Sequence, residues 1–95
     1  MDKEFVPYQI ALDMKSIGFD EPCFGYYLEL INPIEGLLKI GLDNNYLQAP
    51  LYQQAFRWLY QKLDIERGIM PLDTESQQLL LKELIDKVSS KHLLV

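Results

Sequence analysis

Apolar residues first recur at helical spacing in residues 5–17, where Ile10 and Met14 share one face of a helix. Pro7 suits the first turn of that helix, because a proline has no backbone N–H group to leave unbonded there. Gly18 suits the position just after the last turn, where the backbone often adopts a left-handed conformation. The pattern therefore predicts an amphipathic first helix with both of its ends marked.

The hydrophobic period changes to two in residues 23–30 and again in residues 37–42, which is typical of β-strands. Between them, Asn32-Pro33 and Gly36 supply turn-forming residues, so an antiparallel β-hairpin is the simplest connection. An isolated hairpin is only marginally stable, and one face of each strand must therefore be covered by helices. The faces predicted to be covered comprise Phe24, Tyr26 and Leu28 in the first strand and Leu38, Ile40 and Leu42 in the second.

The second half of the chain predicts two more helices. One follows Ala49-Pro50, with an apolar stripe of Tyr52, Phe56, Leu59 and Leu63. The last helix begins at Thr74-Glu75-Ser76-Gln77, which matches a capping box, and its stripe comprises Leu81, Leu84, Ile85 and Val88.

Residues 65–72, between these two helices, contain Gly68 and Pro71, which predicts a connection or at most a short edge strand. The full order of elements is helix, antiparallel β-hairpin, helix, short edge strand or connection, and C-terminal helix. We therefore expect an α+β fold with helices packed on a small sheet.

Length and composition limit the class of protein. The chain has 95 residues, of which 48% are hydrophobic, and a single domain of roughly 100 residues is a usual size. Its apolar runs are far shorter than the about 20 residues of a membrane-spanning helix, and its first residues do not resemble a secretory signal. Cys23 is the only cysteine, which excludes an internal disulfide. We expect one cytoplasmic domain, residues 1–95, without membrane contact.

The net charge of −5 is concentrated at one end of the chain. Residues 1–43 hold eight acidic and three basic side chains, whereas residues 44–95 hold six of each. This distribution disfavours nucleic-acid binding, which depends on clustered Lys and Arg side chains. It fits a basic partner, or simply an acidic face that is solvated.

No motif in the chain predicts a catalytic residue, a cofactor-binding loop or a metal site. The glycines never group into a phosphate-binding loop, so we expect no cofactor. Asp20-Glu21-Pro22-Cys23 is the one turn that combines carboxylates with a thiol. An alternative hypothesis is therefore a small enzyme or ligand-binding protein that uses this turn.

Four aromatic residues lie off the predicted apolar stripes: Tyr27, Tyr46, Trp58 and Tyr60. Tyr and Trp anchor many protein interfaces, because they bury a large, rigid area and keep one polar group. The four residues thus form a candidate protein interface. The alternative is that they are core residues, since a small domain can bury aromatic rings on both sides of a hairpin.

Three stretches also resemble a family of small uncharacterised proteins of Bacteroides-type bacteria and their phages: EFVPY at residues 4–8, GFDEPCFGYY at 18–27 and APLYQQAFRW at 49–58. The resemblance implies an origin, but no activity, cofactor or catalytic residue. Members of that family are longer after Asp64 and carry additional strands before the last helix. Their absence here would leave a sheet edge unprotected, and pairing with a second copy of the chain would cover it.

The leading hypothesis is a non-enzymatic accessory or protein-interaction domain of phage or mobile-element origin. Its partner would be another protein or a second copy in a homodimer, bound through the off-stripe aromatic residues and the acidic first half.

Overall fold

The computed structural model describes residues 4–29, 36–43, 45–66 and 68–93. Within these residues, the helices and strands follow the order α1 (Tyr8–Ser16), β1 (Gly25–Glu29), β2 (Gly36–Ile40), β3 (Leu47–Gln48), α2 (Tyr52–Lys62) and α3 (Thr74–Leu93). The predicted α+β fold, with helices packed on a small antiparallel sheet, is confirmed. The predicted turn at Asn32-Pro33 lies outside the described residues.

Helix α1 begins later than the predicted stretch 5–17, at Tyr8, and ends before Gly18 as its sequence predicts. Pro7 immediately precedes its first residue, and Gly18 adopts a positive φ of 99° just after its end. The Gly18 N–H group donates to the Lys15 carbonyl at 3.1 Å, which satisfies one of the last carbonyls of the helix. Ile10 and Met14 are buried, as the apolar stripe predicts.

The sheet has the strand order β2-β1-β3, and both pairs are antiparallel. In the register, Tyr27 is opposite Leu38 on one side and opposite Leu47 on the other. The third strand is therefore Leu47–Gln48, whereas the described part of residues 65–72 forms no strand. That stretch is a connection, and the Tyr60 hydroxyl donates to the Ile69 carbonyl within it.

The prediction of which face of β1 meets the helices is wrong. Tyr27 is buried, at 7% exposure, whereas Phe24 is 65% exposed; Tyr26 and Leu28 are half-buried. The physical reason lies in Gly25, since a Cβ atom there would come within 2.7 Å of the Phe5 ring. Phe5 thus occupies the space that a side chain at position 25 would fill.

The predicted face of β2 is the one on the Tyr27 side, but only part of it is covered. Leu38 packs against the core as expected, but Ile40 and Leu42 are exposed. Gly36 lies on the Leu38 side of the strand, where the ring of Tyr8 covers it closely. The aromatic rings at positions 5 and 8 therefore cover the Tyr27 side of the sheet beside two glycines.

Helices α2 and α3 complete the core. Its members from α2 are Tyr52, Ala55, Phe56, Trp58 and Leu59, and those from α3 are Leu81, Leu84, Ile85 and Val88. Helix α3 begins at Thr74, but its capping side chain is Asp73, because the Asp73 carboxylate, and not Thr74, accepts the Ser76 N–H at 2.9 Å. Among the described helices, none has both the length and the apolar character needed to cross a membrane.

Candidate interaction surface

The side of the sheet opposite to Tyr27 carries a group of apolar side chains. Residues opposite each other in neighbouring strands point to the same side of a sheet. Tyr26 is opposite Lys39 and Gln48, and Leu28 is opposite Leu37. We name this side the outer sheet face, and its residues are Phe24, Tyr26, Leu28, Leu37, Lys39, Tyr46 and Gln48.

The exposure of these side chains is unusual for an open sheet. An antiparallel sheet with one solvated face normally carries polar residues on that face. Here Phe24, Leu37 and Tyr46 are 65%, 48% and 47% exposed, and Lys39 is the only charged member of the face. Grouped apolar exposure of this kind marks interaction sites more often than scattered apolar residues do.

The rings of Tyr26 and Tyr46 form the centre of the outer sheet face. Their centroids are 5.2 Å apart and their planes differ by 17°, so the rings are stacked. A Cβ atom at Gly41 would lie 3.8 Å from the Tyr26 ring, which is an ordinary van der Waals distance. Two stacked tyrosines present a large area that loses little conformational entropy on binding.

Hydrogen bonds from Gln48 fix the segment that carries Tyr46. The Gln48 Nε2 atom donates to the carbonyls of Asp43 at 2.6 Å and Tyr46 at 3.1 Å. Its Oε1 atom accepts the Cys23 N–H at 3.2 Å. One side chain therefore joins the Tyr46 segment to the residues that precede β1. This bonding holds the Tyr46 segment in place, so Tyr46 does not depend on a partner for its position.

The structure separates the four aromatic residues of the predicted interface. Tyr27 and Trp58 are core residues, at 7% and 5% exposure, so the core alternative applies to both. Tyr60 is half-buried and bonded to the connection before α3. Tyr46 is the one of the four that is exposed. The predicted use of Tyr27 and Trp58 as interface residues therefore has no support, because neither ring is exposed to a partner.

Specific contacts hold these two core aromatics in place. The Tyr27 hydroxyl donates to the Val6 carbonyl at 2.7 Å, and its ring meets Tyr8 edge to face at 5.4 Å. Trp58 meets Phe19 in the same way at 5.3 Å. The indole also lies 5.2 Å from the Lys62 ammonium, a cation–π distance.

The Asp20-Glu21-Pro22-Cys23 turn is fastened to α2. The Glu21 carboxylate accepts a hydrogen bond from Gln54 Nε2 at 3.3 Å and lies 3.5 Å from the Arg57 guanidinium. Gln54 also donates to the Pro22 carbonyl at 3.0 Å. These contacts give the polar groups of the turn a structural role.

The Cys23 thiol in this turn is poorly suited to nucleophilic chemistry. Burial, followed by the negative charge of Glu21, raises the pKa of the Cys23 thiol to about 12. The thiol is therefore protonated at neutral pH, whereas a reactive cysteine needs a lowered pKa. Within the described ranges, no three His, Cys, Asp or Glu side chains are grouped as metal ligands.

Sequence reasoning missed Phe24, Leu28 and Leu37 as surface residues. Alternation in β1 pointed the other way, because the side with Phe24 and Leu28 is more apolar than the side with Gly25 and Glu29. Comparison of the chain with models of known protein families, with curated proteins and with solved structures finds no match. The function is therefore inferred from the geometry of the chain itself.

Proposed function

We propose that this chain is a small non-enzymatic accessory domain, of phage or mobile-element origin, that binds another protein through its outer sheet face. The observation that carries the proposal is the apolar outer sheet face with the stacked Tyr26 and Tyr46 rings at its centre. The proposed origin rests on the resemblance of residues 4–8, 18–27 and 49–58. A cytoplasmic location fits this function.

The partner that suits this surface is an amphipathic helix. A sheet face is commonly covered by helices, and here residues from the N-terminal segment and α1 already cover the Tyr27 side. The partner's apolar stripe would lie on Phe24, Leu37 and the tyrosine pair. Residues 1–43 are strongly acidic, which favours basic residues beside that stripe.

Lys39 fits such a complex without being buried as a charge. Lys39 is opposite Tyr26 in the register of the sheet, so its aliphatic stem can lie beside the Tyr26 ring while its ammonium reaches the rim, where water or a carboxylate solvates it. The apolar area would then be covered while the charge stays hydrated.

The test is affinity capture from the lysate of the parent cells, with the partner identified by mass spectrometry. The unaltered chain is compared with a Phe24→Ser/Tyr46→Ser double variant. The matched control is Ile69→Ser/Leu72→Ser, which removes exposed apolar side chains from the connection between α2 and α3. We expect a captured protein that the control retains and the double variant loses.

Two outcomes would contradict the proposal. One is that the unaltered chain captures no specific protein. The other is that the Phe24→Ser/Tyr46→Ser variant, shown by circular dichroism to be folded, captures the same protein to the same extent. Both substituted side chains are exposed, so the fold should tolerate the change.

A further inference from the structure

Strand β2 forms one edge of the sheet. The strand order is β2-β1-β3, so β2 pairs with β1 on one side only, and no strand among the described residues pairs with its other side. The opposite edge, β3, has two paired residues, whereas β2 has five. A longer open edge presents a row of backbone groups that another strand can bind.

The register shows which backbone groups of β2 point to that open side. In an antiparallel pair, opposed residues that exchange backbone hydrogen bonds alternate with opposed residues that do not. The Gly41 N–H donates to the Phe24 carbonyl at 2.8 Å, and these two residues continue the register of β1 and β2 by one position. Leu37 and Lys39 therefore also bond towards β1. The outward N–H and C=O groups belong to the alternate residues Gly36, Leu38 and Ile40.

We infer that two copies of this chain form a dimer by pairing their β2 strands antiparallel, with Leu38 at the two-fold axis. In this register, Leu38 is opposite Leu38 of the second copy, and Gly36 is opposite Ile40 of the second copy. Each of these opposed pairs exchanges two backbone hydrogen bonds. The two sheets become one continuous sheet, and both open β2 edges are covered in a closed, two-fold assembly.

The side chains favour this register over its neighbours. Ile40 is 52% exposed in the single chain. In the dimer, Ile40 lies opposite Gly36 of the second copy. This glycine has no side chain, and the Tyr8 ring of its own copy covers it. Ile40 thereby gains an apolar neighbour in the second copy without a steric clash.

The charged residue of the strand is also placed favourably. Lys39 is opposite Leu37 of the second copy and not opposite Lys39. Like charges directly opposite each other destabilise a sheet, and a register centred on Lys39 would place them so. That register would also form fewer hydrogen-bonded pairs, because Leu38 would pair with Ile40 of the second copy but Gly36 would have no opposite residue within β2.

This dimer is independent of the proposed binding of a partner protein. Its contacts are the edge groups of β2, whereas the partner lies on the outer sheet face. Dimerisation would join two outer sheet faces side by side, which would let one assembly bind two partner segments. Failure of the dimer and failure of partner binding can be told apart, because one set of variants changes the β2 edge and another changes the outer sheet face.

Sedimentation equilibrium tests the dimer, with an expected mass twice the 11.1 kDa of the chain. Ile40→Pro removes the outward N–H and leaves the β1 ladder intact, since proline is tolerated at sheet edges. Ile40→Thr is the matched control, because it also removes the apolar side chain but keeps the N–H group. We expect Ile40→Pro to lose the dimer mass and Ile40→Thr to retain dimer with a weaker association. A monomeric unaltered chain, or a folded Ile40→Pro chain that stays dimeric, would overturn the inference.

Cysteine cross-linking tests the register even if Ile40→Pro fails to fold. Leu37 of one copy would lie opposite Lys39 of the other, in a pair that exchanges no hydrogen bonds. Their Cα atoms would be about 4.5 Å apart, which is within the range of a disulfide. A mixture of Leu37→Cys and Lys39→Cys chains should therefore cross-link on mild oxidation. Either variant alone should cross-link far less, because its two cysteines would be diagonal and roughly 7–8 Å apart. Equal cross-linking of a single variant would overturn the register. The buried Cys23 should not interfere.

Discussion

The hydroxyl of Tyr27 offers a direct test of its assignment to the core, because Tyr46 provides a matched control. The substitution Tyr27→Phe removes one oxygen atom and keeps the ring that meets Tyr8 edge to face at 5.4 Å. The hydroxyl is the donor of a buried hydrogen bond of 2.7 Å to the Val6 carbonyl. The substitution therefore removes this bond and keeps the ring in place.

The expected loss of stability follows from that bond. A typical hydrogen bond contributes about 1 kcal/mol, and a buried carbonyl left without a partner adds the cost of its desolvation, so we expect a loss of about 1–3 kcal/mol. A domain of 60–100 residues loses about 4–8 °C of its thermal midpoint for each kcal/mol. At Tyr46, which is 47% exposed, the same substitution should change the free energy of unfolding by less than about 0.5 kcal/mol.

The assay is urea unfolding followed by far-ultraviolet circular dichroism at neutral pH. We expect a lower midpoint for Tyr27→Phe with an unchanged m value, and an unchanged midpoint for Tyr46→Phe. Equal midpoints for the two variants would refute the assignment of Tyr27 to the core. A larger loss at Tyr46 would show that the two tyrosines have exchanged roles.

Three further predictions follow from single sites. The Cys23 thiol, with a pKa raised to about 12 by burial, should react slowly with a disulfide reagent at pH 8 and rapidly in urea; fast reaction of the folded chain would contradict its burial. Asp73→Ala should lower the urea midpoint at pH 7. The bond from the Ser76 N–H lowers the pKa of the Asp73 carboxyl, so the carboxylate stabilises the fold above its ordinary pKa of 3.8. The difference in midpoint between the variant and the unaltered chain should therefore fade as the pH falls below 3.8. A pH-independent difference would exclude the carboxylate as its cause. Gly25→Ala should cost about 1–3 kcal/mol in the same assay, because the new Cβ atom would press on the Phe5 ring, and a neutral result would argue against this packing.

The helices were predictable because each contains a long periodic stripe. Ile10 and Met14 in α1, like Leu81 and Leu84 in α3, are buried as their spacing indicates. Such spacing reports burial directly when only one face of a helix is apolar. The sequence is therefore sufficient for the order and type of the helices.

The buried side of β1 was not predictable from alternation. Alternation favours burial of the bulky apolar side, which includes Phe24 and Leu28, over the side with Gly25 and Tyr27, yet the bulky side faces outward. The choice depends on Phe5, which covers Gly25, and on the bond from Tyr27 to a distant carbonyl. These are contacts between residues far apart in sequence, which a local period cannot show.

Strand β3 escaped prediction for a different reason. It has two paired residues, Leu47–Gln48, which are too few to show a period. The side chain of Gln48 then fixes the segment that carries Tyr46. Tyr46 could be proposed as an interface residue from its type and its position off the stripes. Its stacking on Tyr26 could not be predicted, because that contact depends on the third strand.

The most direct test of the proposed function is the affinity of the captured partner, measured by isothermal titration calorimetry with purified proteins. Truncating a residue at the centre of an interface typically costs 2 kcal/mol or more, which corresponds to about a 30-fold weaker affinity. We predict at least this loss for Phe24→Ser/Tyr46→Ser and an unchanged affinity for Ile69→Ser/Leu72→Ser. Equal affinities for the unaltered chain and the Phe24→Ser/Tyr46→Ser variant would show that the partner binds elsewhere, and would contradict the outer sheet face as the functional site.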